Sequence, residues 1–346
     1  MPRDEPRADG AVQGVAVVLA GAVAKGAFHA GVLAEIAARE IPVLKVVGTS
    51  AGALNGAVFA RGGRARDERA AADLLVDLWA SRAGLFDVFR VSVRDVWSAR
   101  GLSSMQNVDA ILREAEGKLP PRGAPIQLEM VVSPLRGAPS EGDQPITFEH
   151  VMRFRDEEID TRWDRICQAA AASAAFPGAF APVDVDDCGP CVDGGAVNNA
   201  PIGHAIDDVD VDTVIVVTTQ PERHVAPEPL TGINLIGQVA DMLVNERLVR
   251  DLRDARRVNE KLENIRALVA RGELTEAQAE RVMEALAWRP LRVVPVRPSA
   301  ARPLRGGSFA GFGDASLRRE YIDAGREAAK QELAGWTFSA PAPTPR

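Results

Sequence analysis

The sequence has few of the residues that several classes of protein need. Only 4 of its 346 residues are histidine, 3 are cysteine, and aromatic side chains make up 5% of the chain. Platforms of stacked aromatic rings, on which single-stranded nucleic acids bind, are therefore hard to build. Acidic residues outnumber basic ones and the net charge is -7, so the chain has no overall attraction for phosphate backbones. These shortages argue against nucleic acid as a partner.

A hydrophobic run long enough to cross a membrane is also missing from the sequence. A spanning helix needs about 20 apolar residues, and the longest uncharged stretch, 166–183, is largely alanine and contains two prolines. The first ten residues mix charge and proline where a secretory signal would place an apolar block. The odd number of cysteines argues against a framework made only of disulfides. We therefore expect a cytoplasmic protein, whose oligomeric state the composition does not indicate.

The remaining composition, 46% hydrophobic and 26% charged, is that of a globular chain. Short β-branched runs alternate with segments whose apolar residues recur every 3.6 residues. The predicted strands are 14–20, 43–48, 127–133, 213–218 and 291–296, and the predicted helices are 31–40, 51–61, 67–79, 108–116, 162–175 and 317–333. This alternation predicts an α/β fold, with a mostly parallel central sheet flanked by helices.

One region departs from this alternation. Residues 232–286 are charged, with leucines at helical spacing, which predicts an added helical hairpin broken near Gly272. The hairpin either covers one side of the sheet or offers a surface to a partner. Residues 1–13 and 337–346 show no apolar period, so we expect two flexible tails. The chain between them, 14–336, is expected to form a single domain that includes the hairpin.

The sharpest local motif is Gly48-Thr49-Ser50-Ala51-Gly52, directly after a predicted strand and directly before a helix of small residues. A nucleophile elbow has this setting, because a serine at a strand-to-helix turn stands above the sheet and flanking glycines remove steric conflict. The positive end of the helix would also stabilise negative charge. A tight turn without a catalytic role has the same sequence, but the context favours a catalytic Ser50.

A histidine is one candidate for the general base that a reactive serine needs. In α/β-hydrolases the serine follows several strands and the histidine comes last of the triad. Here Ser50 follows only about two predicted strands. His150 and His224 lie in polar, loop-like surroundings, and His204 lies at a predicted helix start. An α/β-hydrolase that uses His204 remains an alternative.

An aspartate is the second candidate. Asp193 precedes Gly194 and Gly195, so its carboxylate could approach a serine hydroxyl with no side chain in between. The same Asp-Gly-Gly run also suits a hairpin turn. The residues alone leave both readings open.

Four segments, in order, resemble motifs of the patatin-like phospholipase family. Residues 21–31 are similar to its Gly-rich oxyanion loop, 48–55 to its nucleophile elbow, 172–182 to its Ala-Ser helix before a proline turn, and 193–201 to its catalytic aspartate loop. The resemblance covers about residues 14–333.

The resemblance implies a patatin-like fold and a lipid acyl hydrolase with a Ser-Asp dyad. Ser50 would attack an ester carbonyl, and Asp193 would accept the serine proton and return it to the leaving group. No cofactor and no metal, calcium included, is implied. The implied substrate is a phospholipid, a lysophospholipid or a simpler acyl ester, with room for peripheral contact with a membrane.

The implied oxyanion loop departs from the family pattern of three consecutive glycines. Its donors would be the backbone N–H groups of Gly21, Ala22, Val23, Ala24, Lys25 and Gly26. Backbone donors survive these substitutions, but a β-branched valine where positive φ is required is strained. A catalytically weak protein that binds lipid or a protein partner is therefore an alternative. The Lys25 side chain either positions the loop, contacts a phosphate or is solvated.

Three other segments are candidates for functional sites, and the sequence supports a function less strongly in each. Cys188-Gly189-Pro190-Cys191 predicts a hairpin turn rather than a redox or zinc site, because no second ligand pair lies at metal-binding spacing. Residues 21–26 lack the glycine spacing of nucleotide-binding loops, which argues against a nucleotide site there. Residues 84–102 carry Phe86, Phe89, Val93 and Trp97 among arginines, and either pack in the core or lie at a lipid interface.

Overall fold

The computed structural model describes residues 14–64, 67–91, 103–119, 126–138, 146–155, 158–186, 188–206, 211, 213–221, 232–286 and 291–336. The predicted tails, most of the segment 84–102 from residue 92 onward, and His224 lie outside these residues. The strands are β1 Val15–Leu19, β2 Val43–Thr49, β3 Arg90–Val91, β4 Ser103–Ser104, β5 Gln127–Pro134, β6 His150–Phe154, β7 Val183–Val185, β8 Gly189–Asp193, β9 Thr213–Val217 and β10 Arg292–Val296.

The α-helices flank these strands along the chain. They are α1 Ala27–Ala38, α2 Ala51–Arg64, α3 Glu68–Ser81, α4 Leu85–Val88, α5 Gln106–Lys118, α6 Glu158–Thr161, α7 Trp163–Ser173, α8 Ile202–Ala205, α9 Gly232–Ala270, α10 Glu276–Ala285, α11 Ala310–Gly313 and α12 Ala315–Glu332. Two single turns of 3-10 helix lie at Val23–Gly26 and Gly194–Ala196.

The central sheet has the strand order β10-β9-β1-β2-β5-β8-β7, with β6 also paired to β5. The pairs from β10 to β5 are parallel, whereas β6 and β8 run antiparallel to β5. The expected mostly parallel α/β sheet is thus confirmed. His150 is not in a loop, as its polar surroundings suggested, but begins β6, where its partner on β5 is Val132.

The register brings distant residues to one edge of the sheet. Leu19 at the end of β1 pairs with Gly48, Thr49 at the end of β2 pairs with Val131, and the neighbouring Val132 pairs with Asp193. The turns that follow β1 and β2 therefore lie beside the end of β8. Ser50, the loop after Leu19 and Asp193 meet there.

Both faces of the sheet are covered, which explains why the parallel strands are apolar at consecutive positions. Val15, Val17 and Leu19 face the larger core, which the helices from α1 to α7 and α12 complete. Ala16 and Val18 face a smaller core that contains Ile202 and Ala205 of α8. The sheet is therefore buried at the point where it holds the site.

The predicted helical region contains the long helix α9 and the shorter α10. The chain between them turns at Gly272, whose φ is +71°, a value that glycine adopts without strain. Asn259 of α9 exchanges two hydrogen bonds with the backbone of Leu291, which precedes β10. Leu252 of α9 packs against the smaller core. The helix is thereby joined to the far edge of the sheet.

The Cys188–Cys191 segment forms the turn between β7 and β8 and the start of β8. Burial raises the pKa of the Cys191 thiol to about 12 and also raises that of Cys188. Reactive redox cysteines need the opposite shift, toward the thiolate. The two thiols therefore act as small buried side chains of the hairpin.

Among the described residues, no helix combines the length and apolar character that crossing a membrane requires.

Candidate active site

Ser50 stands at the turn between β2 and α2 in a left-handed conformation with φ of 56°. Its backbone N–H donates to the Ser173 hydroxyl over 2.9 Å, and that hydroxyl donates to the Val131 carbonyl over 2.6 Å. A Cβ atom on Gly52 would lie 2.0 Å from the Leu19 carbonyl oxygen, so only glycine fits there. The turn is thus held between β1, β5 and α7, as expected for a nucleophile elbow.

Asp193 is the last residue of β8, and its side chain is aimed at Ser50. The Ser50 hydroxyl donates to Asp193 Oδ2 over 2.6 Å, and the Gly195 N–H donates to Asp193 Oδ1 over 2.7 Å. Ser50 and Asp193 are both buried. The structure brings together these two sequence-predicted residues across 143 positions of the chain.

Burial raises the pKa of the Asp193 carboxyl from 3.8 to about 6, and the hydrogen bonds from Ser50 and Gly195 act in the opposite direction. Desolvation disfavours the charged form of a carboxyl group, which accounts for the rise. The group is ionised at neutral pH, yet its proton affinity is close to that of an imidazole. A carboxylate with this pKa is suited to accept and return a proton.

The loop Gly21–Gly26 runs beside Ser50, and several of its backbone donors are already engaged. The N–H groups of Gly21, Ala24 and Lys25 donate to the carbonyls of Asn199, Ser308 and Ala22. In the part of the chain that the structure describes, the N–H groups of Ala22 and Val23 donate to no protein acceptor. The N–H groups of Ala22 and Val23 are therefore candidate oxyanion donors.

Val23 has φ of 50°, so the expected valine at positive φ is present. Its side chain is half-buried and packs against the main core, and Ala22 is buried. Lys25 is half-buried at the next turn. The strained loop is therefore built around the two residues that replace the family's glycines.

Asn199 joins the oxyanion loop to the aspartate loop. Its backbone carbonyl accepts from the Gly21 N–H over 3.1 Å, and its side-chain amide donates to the Gly21 carbonyl over 3.3 Å. A Cβ atom on Gly21 would lie 2.1 Å from Asn199 Oδ1 and 3.1 Å from Ser50 Cβ. Glycine at position 21 lets the three segments meet.

An apolar pocket of about 100 Å³ opens beside Ser50. Its apolar lining consists of Val23, Ala51, Leu54, Val58, Leu75, Leu78, Trp79, Ala83, Val88, Met105, Val108, Ile111, Leu112, Ala174, Phe176, Phe180, Phe309 and Phe312. A space of this size is larger than the roughly 10 to 15 Å³ that one water needs. The pocket therefore offers an apolar space next to the Ser50 hydroxyl.

A buried polar network that the sequence did not indicate forms part of the wall of this pocket. Asn55 donates to the Gly26 carbonyl over 2.9 Å and accepts from the Trp79 ring N–H over 2.7 Å. His29 Nδ1 lies 3.4 Å from the same amide, and burial lowers the pKa of His29 to about 3. The histidine is thus neutral, and the network ties the end of the oxyanion loop to α2 and α3. Spacing along the chain gave no signal for it.

His204 has a different partner from the one that a catalytic triad requires. Its Nε2 atom lies 2.8 Å from Glu149 Oε1, which also accepts from the Asn198 side chain over 2.8 Å. The Ser50 hydroxyl meanwhile donates to Asp193. His204 therefore stabilises the chain around the aspartate loop through Glu149, and the alternative with His204 as base finds no support in this geometry.

The sequence left segment 84–102 either in the core or at a lipid interface, and its described residues include both buried and exposed side chains. Val88 is buried and lines the pocket, and Phe89 stacks on Phe180 with ring centres 4.9 Å apart. Phe86 is 90% exposed. Val93 and Trp97 lie outside the described residues. This segment thus packs in the core at Val88 and Phe89, while Phe86 faces solvent.

Comparisons with known proteins give one family match. The model of the patatin-like phospholipase family matches residues 17–206. Among solved structures, VipD from Legionella pneumophila is similar with a TM-score of 0.43 and 13% identity, over 94% of this chain and 67% of VipD. The type III effector protein ExoU has a TM-score of 0.37 and 13% identity, over 92% of this chain and 52% of ExoU. A search of curated protein sequences gives no significant match.

The matched region extends from β1 through the elbow and the aspartate loop to α8, and it contains Ser50 and Asp193. It comprises more than half of the chain. The protein belongs to the patatin-like phospholipase family.

Proposed function

We propose that the protein is a serine acyl-ester hydrolase of lipids, with Ser50 as nucleophile and Asp193 as general base. The observation that carries the proposal is the 2.6 Å hydrogen bond from the Ser50 hydroxyl to Asp193 Oδ2. A serine hydroxyl is a weak nucleophile until a neighbouring base removes its proton. Membership of the family supports the lipid substrate class.

In the first half of the reaction, Ser50 Oγ bonds to the ester carbonyl carbon and its proton moves to Asp193 Oδ2. The carbonyl oxygen becomes an oxyanion, and we assign the Ala22 and Val23 N–H groups to it. Each such donor contributes about 2.7 to 4 kcal/mol to lowering the barrier. The intermediate then collapses, and Asp193 returns the proton to the departing alcohol.

In the second half, water replaces the alcohol. Asp193 takes a proton from the water as its oxygen attacks the acyl carbon, and Ser50 regains that proton when the free acid leaves. The other Asp193 oxygen keeps its bond from the Gly195 N–H throughout. This bond holds the carboxylate in one orientation, so the same oxygen serves both proton transfers.

The pocket indicates which part of the substrate is bound. Its walls are mostly apolar, with Ser50, Asn55 and Arg82 as polar members, and Arg82 is already paired with Glu114, so an acyl chain is a better fit than a charged headgroup. Apolar surface contributes about 25 cal/mol per Å² when it is removed from water. Phospholipids, lysophospholipids and simpler acyl esters all present such a chain.

The test is hydrolysis of p-nitrophenyl esters and of phospholipid vesicles by the whole chain and three variants. Ser50→Ala and Asp193→Asn are each expected to remove nearly all turnover, because residues that act as a unit give similar losses singly. His204→Ala is the control and should keep most of it. Loss of activity in His204→Ala with an intact fold would contradict the dyad. Vesicle binding by the wild-type chain without Ser50-dependent turnover would instead favour a lipid-binding protein.

A further inference from the structure

Phenylalanines from separate parts of the chain meet at the pocket. Phe176 and Phe309 contact each other edge to face, with ring centres 5.7 Å apart, and Phe309 also approaches Phe312 at 6.2 Å. Phe312 and Phe180 are buried, whereas Phe176 and Phe309 are half-buried. The Phe176–Phe309 pair therefore forms the solvent-facing part of this aromatic wall.

Each member of the pair directly follows a residue bound to one of the two loops beside Ser50. The Ser308 carbonyl accepts from the Ala24 N–H of the oxyanion loop over 3.1 Å. The Ala175 carbonyl accepts from the Asp193 N–H over 3.0 Å. The next residues along the chain are Phe309 and Phe176. The aromatic pair is thus positioned relative to the reacting groups by the same backbone bonds that hold those loops.

A buried arginine fixes the segment that carries Phe309. Arg318 of α12 donates to the Gly311 carbonyl over 2.7 Å and to the Trp79 carbonyl over 2.7 Å. Trp79 also lines the pocket. Arg318 is 5% exposed, so these bonds are sheltered from water. The clamp holds α11 against α3 at a set separation.

We propose that Phe309, paired with Phe176, is a specificity-determining residue that restricts the entrance of the acyl pocket to unbranched acyl groups. The inference rests on the proposed function. Phe309 lies beyond residues 17–206, the part of the chain that the family model matches, so this selectivity is added by the C-terminal part. Because the pair and Ser50 line the same pocket, we expect a substituent on the carbon next to the carbonyl to meet the Phe176–Phe309 pair, whereas a linear chain passes it.

The experiment compares two p-nitrophenyl esters of equal carbon number, the octanoate and an isomer branched at the α-carbon. Wild-type enzyme should prefer the linear ester. Phe309→Ala should raise the ratio of kcat/KM for branched over linear ester by roughly tenfold or more, the range for a steric methyl or methylene. Arg318→Met should raise it in the same direction by less. Phe148→Ala is the matched control, because Phe148 is 51% exposed and does not line the pocket.

A second readout does not depend on turnover. Binding of octanoic acid and its α-branched isomer to the Ser50→Ala variant, with and without Phe309→Ala, should show the same change in preference. Thermal melting of each variant shows whether a change in binding preference comes from loss of the fold. Equal losses for both esters, or a ratio within twofold of wild type in a folded Phe309→Ala protein, would overturn the proposal. Absence of Ser50-dependent hydrolysis would refute the proposed function alone, since the binding preference would still decide the role of Phe309.

Discussion

Ser50 and Val23 occupy two turns that follow neighbouring parallel strands, and both have positive φ, 56° and 50°. This conformation costs an L-residue about 1 to 2 kcal/mol. At Ser50 the side chain is needed for chemistry, so glycine cannot replace it. At Val23 only the backbone N–H is assigned a role, and the side chain instead forms part of the pocket wall. The same backbone strain thus accompanies a reactive group in one turn and a packing group in the other.

The surroundings of the two turns differ in the same way. The Ser50 N–H donates to the Ser173 hydroxyl, and the close approach of Gly52 to β1 leaves no room for a side chain at that position. The Val23 N–H donates to no acceptor among the described residues, while the neighbouring Ala24 is bound to Ser308. Strain at the elbow therefore fixes a hydroxyl, and strain at the loop leaves donors available for a ligand.

The largest expected effect is a loss of activity at low pH, because Ser50 depends on Asp193 as its base. Asp193 must be ionised to accept a proton, and its pKa is about 6. We expect kcat/KM for a soluble ester to fall tenfold for each pH unit below about 6. A pH-rate profile between pH 4 and 8, with melting followed in parallel, measures this. A profile flat to pH 5 in a folded protein would contradict a base with a raised pKa, and the same profile in a variant that changes the Asp193 environment would show whether Asp193 is the group concerned.

The next effect is on stability. The folded state holds the Asp193 proton up to about pH 6, whereas an unfolded aspartate loses it near its ordinary pKa of 3.8. The folded state thus binds more protons in this window, and ionised Asp193 lowers the free energy of unfolding as pH rises from about 4 to 6. Asp193→Asn removes this penalty, so the inactive variant should be more stable at pH 7, by up to about 3 kcal/mol.

Urea denaturation at pH 7 and pH 4 checks the sign, since the gain should shrink at the lower pH. Ser50→Ala serves as the matched control because it removes the partner hydroxyl and keeps the carboxylate. If Asp193→Asn were less stable than wild type at both pH values, the hydrogen bonds of the carboxylate would outweigh its desolvation.

A smaller effect isolates the strain at Ser50. Both Ser50→Ala and Ser50→Gly should be inactive, but glycine adopts positive φ without the steric cost. We expect Ser50→Gly to be more stable than Ser50→Ala by about 0.5 to 1 kcal/mol, after the extra chain entropy of glycine is counted. Denaturation curves of the two variants give the difference directly. Alanine as the more stable of the two would mean that the turn relaxes once the hydroxyl is gone.

The elbow and the aspartate loop could be predicted because each is a local pattern. A β-branched strand, a Gly-x-Ser-x-Gly turn and a helix of small residues are adjacent in sequence, and the register of a parallel sheet then places their ends together. The resemblance also included residues 172–182, but it did not predict the role of the Ser173 hydroxyl. That hydroxyl acts on a backbone N–H 123 positions away, and periodicity carries no information about such a contact.

The pocket entrance and the polar network in the pocket wall could not be predicted, for the same reason. Asn55, Trp79 and His29 lie in three different helices and read as ordinary helical residues in each. Phe309 follows the long helical region and reaches the site only because Ser308 and Arg318 bind backbone carbonyls and N–H groups elsewhere. The polar residues around His150 favour a loop, yet His150 begins β6 and pairs with β5. Burial by tertiary packing decides such positions.

Val23 gives the smallest expected effect and the most direct comparison with Ser50. Valine to alanine keeps positive φ and removes half-buried methyl groups, which should cost about 1 kcal/mol. Valine to glycine loses the same contacts, and the greater chain entropy of glycine costs a further sum of about 0.5 to 1 kcal/mol of stability. It also relieves about 1 to 2 kcal/mol of backbone strain. We therefore expect Val23→Gly to be at least as stable as Val23→Ala, the reverse of the order at an ordinary position.

Turnover of Val23→Gly should hold or fall, because the loop loses a packed side chain that positions its N–H groups. Urea denaturation and ester hydrolysis measured on both variants test this, and a rise in turnover for Val23→Gly would show that valine distorts the reactive geometry.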